Sequence, residues 1–250
     1  MTGRADSADR APDLEIGNAV ATIRFRRPGA HNRIDPDDIP VIRGHLQKLS
    51  ATEEIRALVF TGSGAVTFSS GFTIDAILDR LDRSFEDLLD AIESFPLPTL
   101  CALNGSVYGG ATDLALCCDF RIGVHGSRMF MPAARFGLHY YPGGLRRYVA
   151  ALGATQAKRL FLTAQTVHAE EMLRIGFLTE LVDREALQGK VDEYVNAIKQ
   201  CEPSVIKSMK RQINVLERGD LAAGRARDDY EASLASDELK RRLATVTKKG

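Results

Sequence analysis

The chain lacks a net charge, a long apolar run and an obvious export signal. Its 33 Lys and Arg residues balance 33 Asp and Glu residues over 250 positions. General binders of nucleic acid or anionic membranes need a basic excess, so we expect neither partner. No apolar stretch reaches the ~20 residues that span a bilayer. The polar N-terminus, "MTGRADSADRAPDLE", has no apolar core of the kind found in signal peptides.

Cysteine and histidine are few and scattered. The four cysteines are Cys101, Cys117, Cys118 and Cys201; they include no CxxC pair, and two of them are adjacent in an apolar stretch. We interpret them as reduced thiols and expect a cytoplasmic protein. The five histidines show no HxxxH or HExxH spacing, so the sequence predicts no metal site.

The order of the predicted elements indicates an α/β protein. Apolar runs predict strands at 19–25, 55–64, 99–103, 119–124 and 177–183. Helical spacing predicts helices at 37–49, 84–95, 109–118, 145–152, 154–163, 168–175, 186–200, 204–218 and 221–240. Strands and helices alternate in the first two-thirds of the chain, and helices dominate the last third. We expect a disordered lead at 1–13, a main domain at 14–200 and a helical region at 201–250.

Gly109 and Gly110 open a predicted helix that carries one acid, Asp113. The N–H groups at a helix N-terminus are unpaired, and glycines let a ligand oxygen approach them closely. Such a site can stabilise a carbonyl that gains negative charge. Asp113 follows Gly110 by three residues and therefore shares its helix face. Taken alone, the pattern is equally explained by close helix packing and by an aspartate that complements the helix dipole.

A second small-residue turn, "FSSGFTI" at 68–74, also leads from a strand towards a helix. Two such turns can supply two N–H donors to one oxygen. Three longer stretches follow this turn: "ALNGSVYGGATDLALCCDFRI" at 102–122, "MPAARFGLHYYPGGLRRYVAALG" at 131–153 and "AKRLFLTAQTVHAEEMLRIGFLTELVD" at 157–183. With these four stretches in this order, the sequence resembles the enoyl-CoA hydratase/isomerase family, the crotonases. The resemblance extends over residues 14–218.

The resemblance implies a fold, a substrate and an assembly. The fold is an α/β spiral of β-β-α repeats in the core at 14–200, followed by C-terminal helices at 201–250 that cover the site or make trimer contacts. The substrate is an acyl-CoA thioester of the kind met in fatty acid metabolism; coenzyme A is part of the substrate, and no separate cofactor is expected. The assembly is a homotrimer or a dimer of trimers.

The resemblance also assigns roles to individual positions. The backbone N–H groups of Phe72 and Gly110 would form an oxyanion hole for the thioester carbonyl. The implied substrate-binding positions are Arg27, Ser70, Gly71, Gly109 and Ala133. Arg27 resembles the position that meets the phosphates of coenzyme A, and a solvated surface arginine is the alternative reading. An apolar acyl pocket would be lined by Ile74, Ile77, Leu78 and Leu81.

The chain departs from the family pattern at the proton-transfer positions. Typical hydratases use two glutamates, which hold the water that adds to the double bond. The first position is Asp113 here, and the second is Ala133, which cannot transfer a proton. We therefore expect a lyase or isomerase that acts on an enoyl-CoA with Asp113 as its single acid/base.

Two further readings remain open. A decarboxylating branch of the family has "SVWGGAFE" and a tyrosine after "LGVP", and "SVYGGATD" with "FGLHY" is similar to it. A malonyl-type acyl-CoA decarboxylase would then use the oxyanion hole and Tyr140, with Tyr141 beside it. Loss of the second carboxylate also fits a protein that binds acyl-CoA without catalysis. His139 is interpreted as a loop residue.

Overall fold

The computed structural model describes the backbone of residues 10–219 and 223–247. The chain forms two compact units, Met1–Gln200 and Cys201–Gly250. Residues 1–9 of the predicted lead lie outside the described residues, whereas Arg10 to Asp13 already belong to the first strand. The ordered chain therefore begins before residue 14. No helix in the described ranges is long and apolar enough to cross a bilayer.

The strands belong to two sheets. They are β1 (Arg10–Gly17), β2 (Val20–Arg26), β3 (Ala57–Gly62), β4 (Thr67–Ser69), β5 (Thr99–Leu103), β6 (Ser106–Tyr108), β7 (Phe120–Val124), β8 (Arg128–Phe130), β9 (Val167–His168) and β10 (Glu180–Val182). The larger sheet has the order β1-β2-β3-β5-β7-β10, and the smaller sheet has the order β4-β6-β8-β9. Only β1–β2 and β8–β9 are antiparallel among these pairs.

The helices of the first unit are α1 (Asp38–Ser50), α2 (Ile77–Arg80), α3 (Arg83–Glu93), α4 (Gly110–Leu116), α5 (Pro142–Thr163), α6 (Ala169–Arg174) and α7 (Leu187–Gln200). Parallel strands need crossover connections. Here the chain passes from β3 to β4, from β5 to β6 and from β7 to β8 before a helical segment returns it to the larger sheet. This succession of β-β-α repeats winds the chain into a spiral and confirms the predicted fold.

Both faces of the larger sheet are covered, so β3 and β5 are buried along their whole length. Successive side chains of a strand point to opposite faces. Leu58 and Phe60 accordingly join the larger apolar cluster of the protein, whereas Ala57 and Val59 join a second cluster that includes Val191 of α7. The smaller sheet carries the loops that form the cavity described below.

The second unit contains α8 (Pro203–Glu217), α9 (Ala223–Ala235) and α10 (Asp237–Thr247). A single helix was expected over 221–240, but the described part of that stretch is broken at Ser236, whose hydroxyl accepts a hydrogen bond from the N–H of Leu239 at 3.1 Å. Residues 221 and 222 of the expected helix lie outside the described residues. The predicted break between 145–152 and 154–163 corresponds to a kink in α5, where Gly153 has φ +76°.

Candidate active site

Three turns meet at one edge of the smaller sheet because β4, β6 and β8 are parallel neighbours. The chain leaves these strands at residues 70–72, 109–110 and 131–133. The three turns line a cavity of about 340 Å³, which is closed by residues from 74–86 and 136–141. Most of the lining is apolar, as in ligand sites that bury most of a small molecule.

Two backbone N–H groups come together in this cavity, those of Phe72 and Gly110. A Cβ atom placed on Gly110 would lie 3.7 Å from the nitrogen of Phe72. Neither N–H donates a hydrogen bond to another group of the described residues. Two adjacent donors without an internal acceptor can hold an oxygen that gains negative charge.

Gly71 makes the close approach of the two turns possible. Its φ is +83°, a value that L side chains rarely adopt, and a Cβ there would lie 2.7 Å from the nitrogen of Gly110. The turn is anchored on its other side, since the N–H of Ile34 donates to the carbonyl of Gly71 at 2.8 Å. Ser69 Oγ accepts from the N–H of Gly71 at 3.1 Å. The position of the Phe72 N–H is therefore fixed by the main chain of this turn together with the Ser69 hydroxyl.

Asp113 is fully buried, with 0% of its surface exposed, and does not line the cavity. Its carboxylate is held by Arg147 at two points, with Nε 2.8 Å from Oδ1 and Nη2 3.2 Å from Oδ2. Nη1 of Arg147 also donates to Asp90 Oδ1 at 2.8 Å and to Glu93 Oε2 at 3.5 Å. Arg147 was not singled out in the sequence, and it makes Asp113 part of a buried ion-pair network.

Tyr140 and Tyr141 line the cavity and connect it to Asp113. The hydroxyl of Tyr140 donates to Asp113 Oδ2 at 3.2 Å, and that of Tyr141 donates to the same oxygen. The two rings stack with centroids 4.5 Å apart. Burial and the nearby Asp113 charge raise the pKa of both hydroxyls, so they remain protonated hydrogen-bond donors.

Most of the other predicted substrate positions lie in the cavity wall. Ser70, Gly109 and Ala133 line it, and Ala133 is buried. Of the four expected acyl-pocket residues, Ile74, Ile77 and Leu81 line the cavity, whereas Leu78 is 95% exposed and does not. His139, interpreted as a loop residue, also borders the cavity.

Arg27 lies elsewhere and is only 9% exposed. Its guanidinium pairs with two carboxylates, with Nη2 3.0 Å from Asp38 Oδ1 and Nε 3.1 Å from Asp35 Oδ2. Asp38 is itself buried at the start of α1. These partners hold the guanidinium in a buried ion-pair network, and its contact with coenzyme A stays a prediction.

The remaining potential metal ligands and nucleophiles do not form a second site. Within the described residues, no group of three or more His, Cys, Asp and Glu side chains is placed to hold a metal ion. All four cysteines are free thiols; Cys101, Cys117 and Cys118 are buried, and Cys201 is exposed.

Comparison with known proteins decides the family. The sequence model described as enoyl-CoA hydratase/isomerase matches residues 15–242. The chain belongs to the enoyl-CoA hydratase/isomerase family. The predicted recognition is confirmed, and membership makes this chain an acyl-CoA-processing enzyme of the lyase or isomerase kind.

Similar sequences in this family include hydratases. The chain is 30% identical to the crotonyl-CoA hydratase of Syntrophomonas wolfei subsp. wolfei over 74% of both chains. It is 29% identical to the short-chain-enoyl-CoA hydratase of Clostridium acetobutylicum over 80% of both.

Similar solved structures have the same fold. An enoyl-CoA hydratase/isomerase family protein from Hyphomonas neptunium superimposes with a TM-score of 0.90 at 23% identity, covering 97% of each chain. The enoyl-CoA hydratase from Bacillus anthracis superimposes with a TM-score of 0.87 at 21% identity, covering 96% of this chain and 97% of the other.

Proposed function

We propose that this enzyme is an enoyl-CoA hydratase-like lyase or an isomerase that binds its thioester carbonyl between the N–H groups of Phe72 and Gly110. The observation that carries the proposal is the pair of convergent N–H groups, which face an apolar cavity and have no acceptor among the described residues. The two hydratases named above support the substrate class.

The chemistry follows from the charge that develops on the carbonyl oxygen. Addition of water to the β-carbon, or removal of a proton from a carbon next to the conjugated system, moves an electron pair towards that oxygen and gives a thioester enolate. Two preorganised N–H donors stabilise this charge, and losing one such donor typically costs a factor of about 100 to 1,000 in rate. No cofactor takes part in the proposal.

Asp113 has a different role in this proposal from the one predicted. Its carboxylate does not border the cavity and already accepts hydrogen bonds from Arg147, Tyr140 and Tyr141. We therefore assign it a positioning role: it fixes the two phenol groups at the cavity wall. Tyr140 and Tyr141 then form a neutral part of the cavity wall beside the acyl group rather than acting as bases, because each hydroxyl proton is already donated to Asp113.

The carbonyl contact is tested by comparing a saturated acyl-CoA thioester with the S-alkyl-CoA thioether of the same chain length. The thioether has the same coenzyme and chain but no carbonyl oxygen. We expect calorimetry to give weaker binding for the thioether, by about tenfold for one lost hydrogen-bonded group. Equal affinity for both compounds would show that the carbonyl is not held by the two N–H groups.

Decarboxylation of a malonyl-type acyl-CoA is the second candidate, because Tyr140 and Tyr141 both line the cavity and keep their hydroxyl protons. The bond to the departing carboxylate breaks, its electron pair forms the enolate, and carbon dioxide leaves. Mass spectrometry of products from malonyl-type and enoyl thioesters separates the two reactions. Only a decarboxylase should release carbon dioxide and lose that activity in Tyr140→Phe, whereas thioester binding without turnover would leave a binding role alone.

The assembly and location belong to the same proposal. We propose a cytoplasmic homotrimer or dimer of trimers in which the helices of 201–250 make contacts between subunits. Exposed apolar side chains on these helices support this arrangement, among them Ile213, Leu216, Leu234 and Leu243. Four free thiols fit a reducing compartment.

A further inference from the structure

The cavity wall contains two acidic side chains that the proposed function does not use, Asp82 and Glu86. The titratable side chains in its wall are Asp82, Arg83, Glu86, His139, Tyr140 and Tyr141. Both tyrosines stay protonated, as described above, and donate to Asp113. A group that accepts a proton must therefore come from the other members of this set.

Two of these groups are already engaged. Asp82 caps the first turn of α3, where its Oδ1 accepts from the N–H of Ser84 at 2.8 Å. Arg83 pairs with Asp87 at 3.4 Å and is a cation in any case. The half-buried Glu86 differs, because its carboxylate has no hydrogen-bond or ion-pair partner within residues 10–219 and 223–247.

The first turn of α3 packs against the two residues that carry the N–H donors, Phe72 and Gly110. The ring of Phe85 packs against that of Phe72 with centroids 5.4 Å apart. A Cβ on Gly110 would lie 2.8 Å from Cζ of Phe85. Glu86 is the next residue along this helix and lines the same cavity as the two donors.

The carboxylate of Glu86 lies near the start of α5. A Cβ on Gly143, in the first turn of α5, would lie 3.6 Å from Glu86 Oε1 and equally 3.6 Å from Arg147 Nη1. Arg147 is held by Asp113, Asp90 and Glu93 and forms no ion pair with Glu86. The Glu86 carboxylate therefore lies close to this ion-pair network without belonging to it, and Glu86 and Tyr141 line the same cavity.

We infer that Glu86 is the catalytic residue that carries the proton in this enzyme, in place of the carboxylate missing at Ala133. The inference rests on the proposed function for its substrate class and on the cavity geometry for the residue. A single carboxylate is sufficient for either reaction, because the proton it removes is the proton it returns.

The proton and electron balance is the same in both cases. In isomerisation, Glu86 takes a proton from the carbon next to the carbonyl of a 3-enoyl thioester, the C–H electron pair forms the dienolate, and the proton returns two carbons away. In hydration, Glu86 takes a proton from water as its oxygen bonds to the β-carbon, and then delivers that proton to the α-carbon of the enolate. Neither reaction needs another reactant.

The test compares wild type with Glu86→Gln, which keeps size and polarity but cannot accept the proton. Asp87→Asn, the next carboxylate on α3, is the matched control, and His139→Asn tests the rival proton acceptor in the wall. Each protein is assayed for hydration of short-chain 2-enoyl-CoA and isomerisation of 3-enoyl-CoA. Deuterium uptake from D₂O at the α-carbon of saturated and 3-enoyl thioesters is measured by mass spectrometry, and thioester affinity by calorimetry.

We expect Glu86→Gln to lower kcat and deuterium uptake by about 100-fold or more with unchanged affinity, while Asp87→Asn remains near wild type and His139→Asn loses far less than Glu86→Gln. Full turnover in Glu86→Gln, or a loss confined to His139→Asn, would overturn the role of Glu86 and leave the proposed function intact. Deuterium uptake that depends on Glu86 without net product would overturn the proposed lyase or isomerase but not the residue. A wild type with neither activity would overturn both.

Discussion

Asp113 of α4 and Arg147 of α5 form a two-point ion pair in the protein interior, although 34 residues separate them in sequence. Both side chains are essentially inaccessible to water, at 0% and 1% exposure. An ionised carboxylate in such a place needs a counter-charge, because desolvation alone would strongly disfavour it. The pair therefore ties the glycine-opened helix to the helix that begins just after Tyr140 and Tyr141.

Replacing Arg147 with Met should destabilise the protein severely. The change leaves the buried Asp113 without its cation, which typically costs about 3–5 kcal/mol. Urea denaturation measures the loss. Arg174→Met, which removes an exposed pair with Glu171, is the control and should change stability little. Similar stabilities for the two variants would mean that the buried pair does not hold α4 and α5 together.

Asp113→Asn should lower kcat by about 100-fold while leaving thioester affinity unchanged, because misplacing groups by about 1 Å has effects of this size. Asp113 is assigned to act through Tyr141, so the double variant Asp113→Asn, Tyr141→Phe should be hardly worse than the more damaging single variant. Steady-state kinetics and calorimetry on the four proteins provide the measurement. Multiplicative losses would indicate that Asp113 acts independently of the phenol.

Gly144→Ala should disturb the tyrosine cluster. A Cβ at Gly144 would lie 2.7 Å from Tyr140 Cδ1 and 2.8 Å from Asp113 Oδ2, so the ring must move. We expect a loss of about 1–3 kcal/mol in stability from overpacking. Gly143→Ala is a matched control one residue earlier in α5, where the nearest atoms would be 3.6 Å away. Its stability should equal or exceed that of wild type, since Ala is the better helix former.

Stability should decrease at alkaline pH through Tyr141. Burial and the Asp113 charge raise the pKa of its hydroxyl in the folded protein. The stability linked to the neutral phenol is fully present below the unfolded pKa of about 10 and is lost as the pH rises above it, because only the unfolded chain then releases the proton. Urea denaturation between about pH 8 and 11 should show a shallower decline for Tyr141→Phe. Parallel declines would contradict the assignment.

The mass in solution should be three or six times the 27.4 kDa of one chain. Light scattering at micromolar concentration measures it. Leu216 of α8 is 66% exposed in the isolated chain, and Leu216→Glu places a charge at this apolar position. If this surface lies between subunits, the variant should dissociate. A wild-type mass of one chain would rule out the proposed assembly.

The sequence identified the parts of the site that depend on local backbone. Turns that require a positive φ usually contain glycine, because few other residues adopt that conformation. The pair of turns at 68–74 and 104–110 could therefore be predicted from the sequence. The departure at Ala133 was equally plain. The short strands β6 and β8 were not predicted, since three residues are too few to show a periodic pattern.

Long-range partners could not be predicted in the same way. A buried Asp113 needs a cationic partner, but the sequence alone does not show which of the 33 Lys and Arg residues provides it. Arg147 emerges only when α5 packs against α4. Glu86 was not singled out in the sequence, because an acid on the amphipathic helix α3 has the pattern of an ordinary solvated residue. Arg27 was interpreted from sequence as a phosphate-binding residue, with a solvated surface arginine as the alternative, and neither reading predicted its partners Asp35 and Asp38.

The left-handed backbone of Gly71 has a consequence for how this protein can change. The two donors at Phe72 and Gly110 are main-chain N–H groups. Their ability to donate hydrogen bonds therefore does not depend on which side chains surround them. The acidic groups nearby are individual side chains on separate elements, α3 and α4. A single amino-acid substitution can replace such a group while the two main-chain N–H donors stay in place. Substitution at Gly71 is the exception, because any Cβ there forces the two amides apart, so this residue limits the sequence variation that the cavity tolerates.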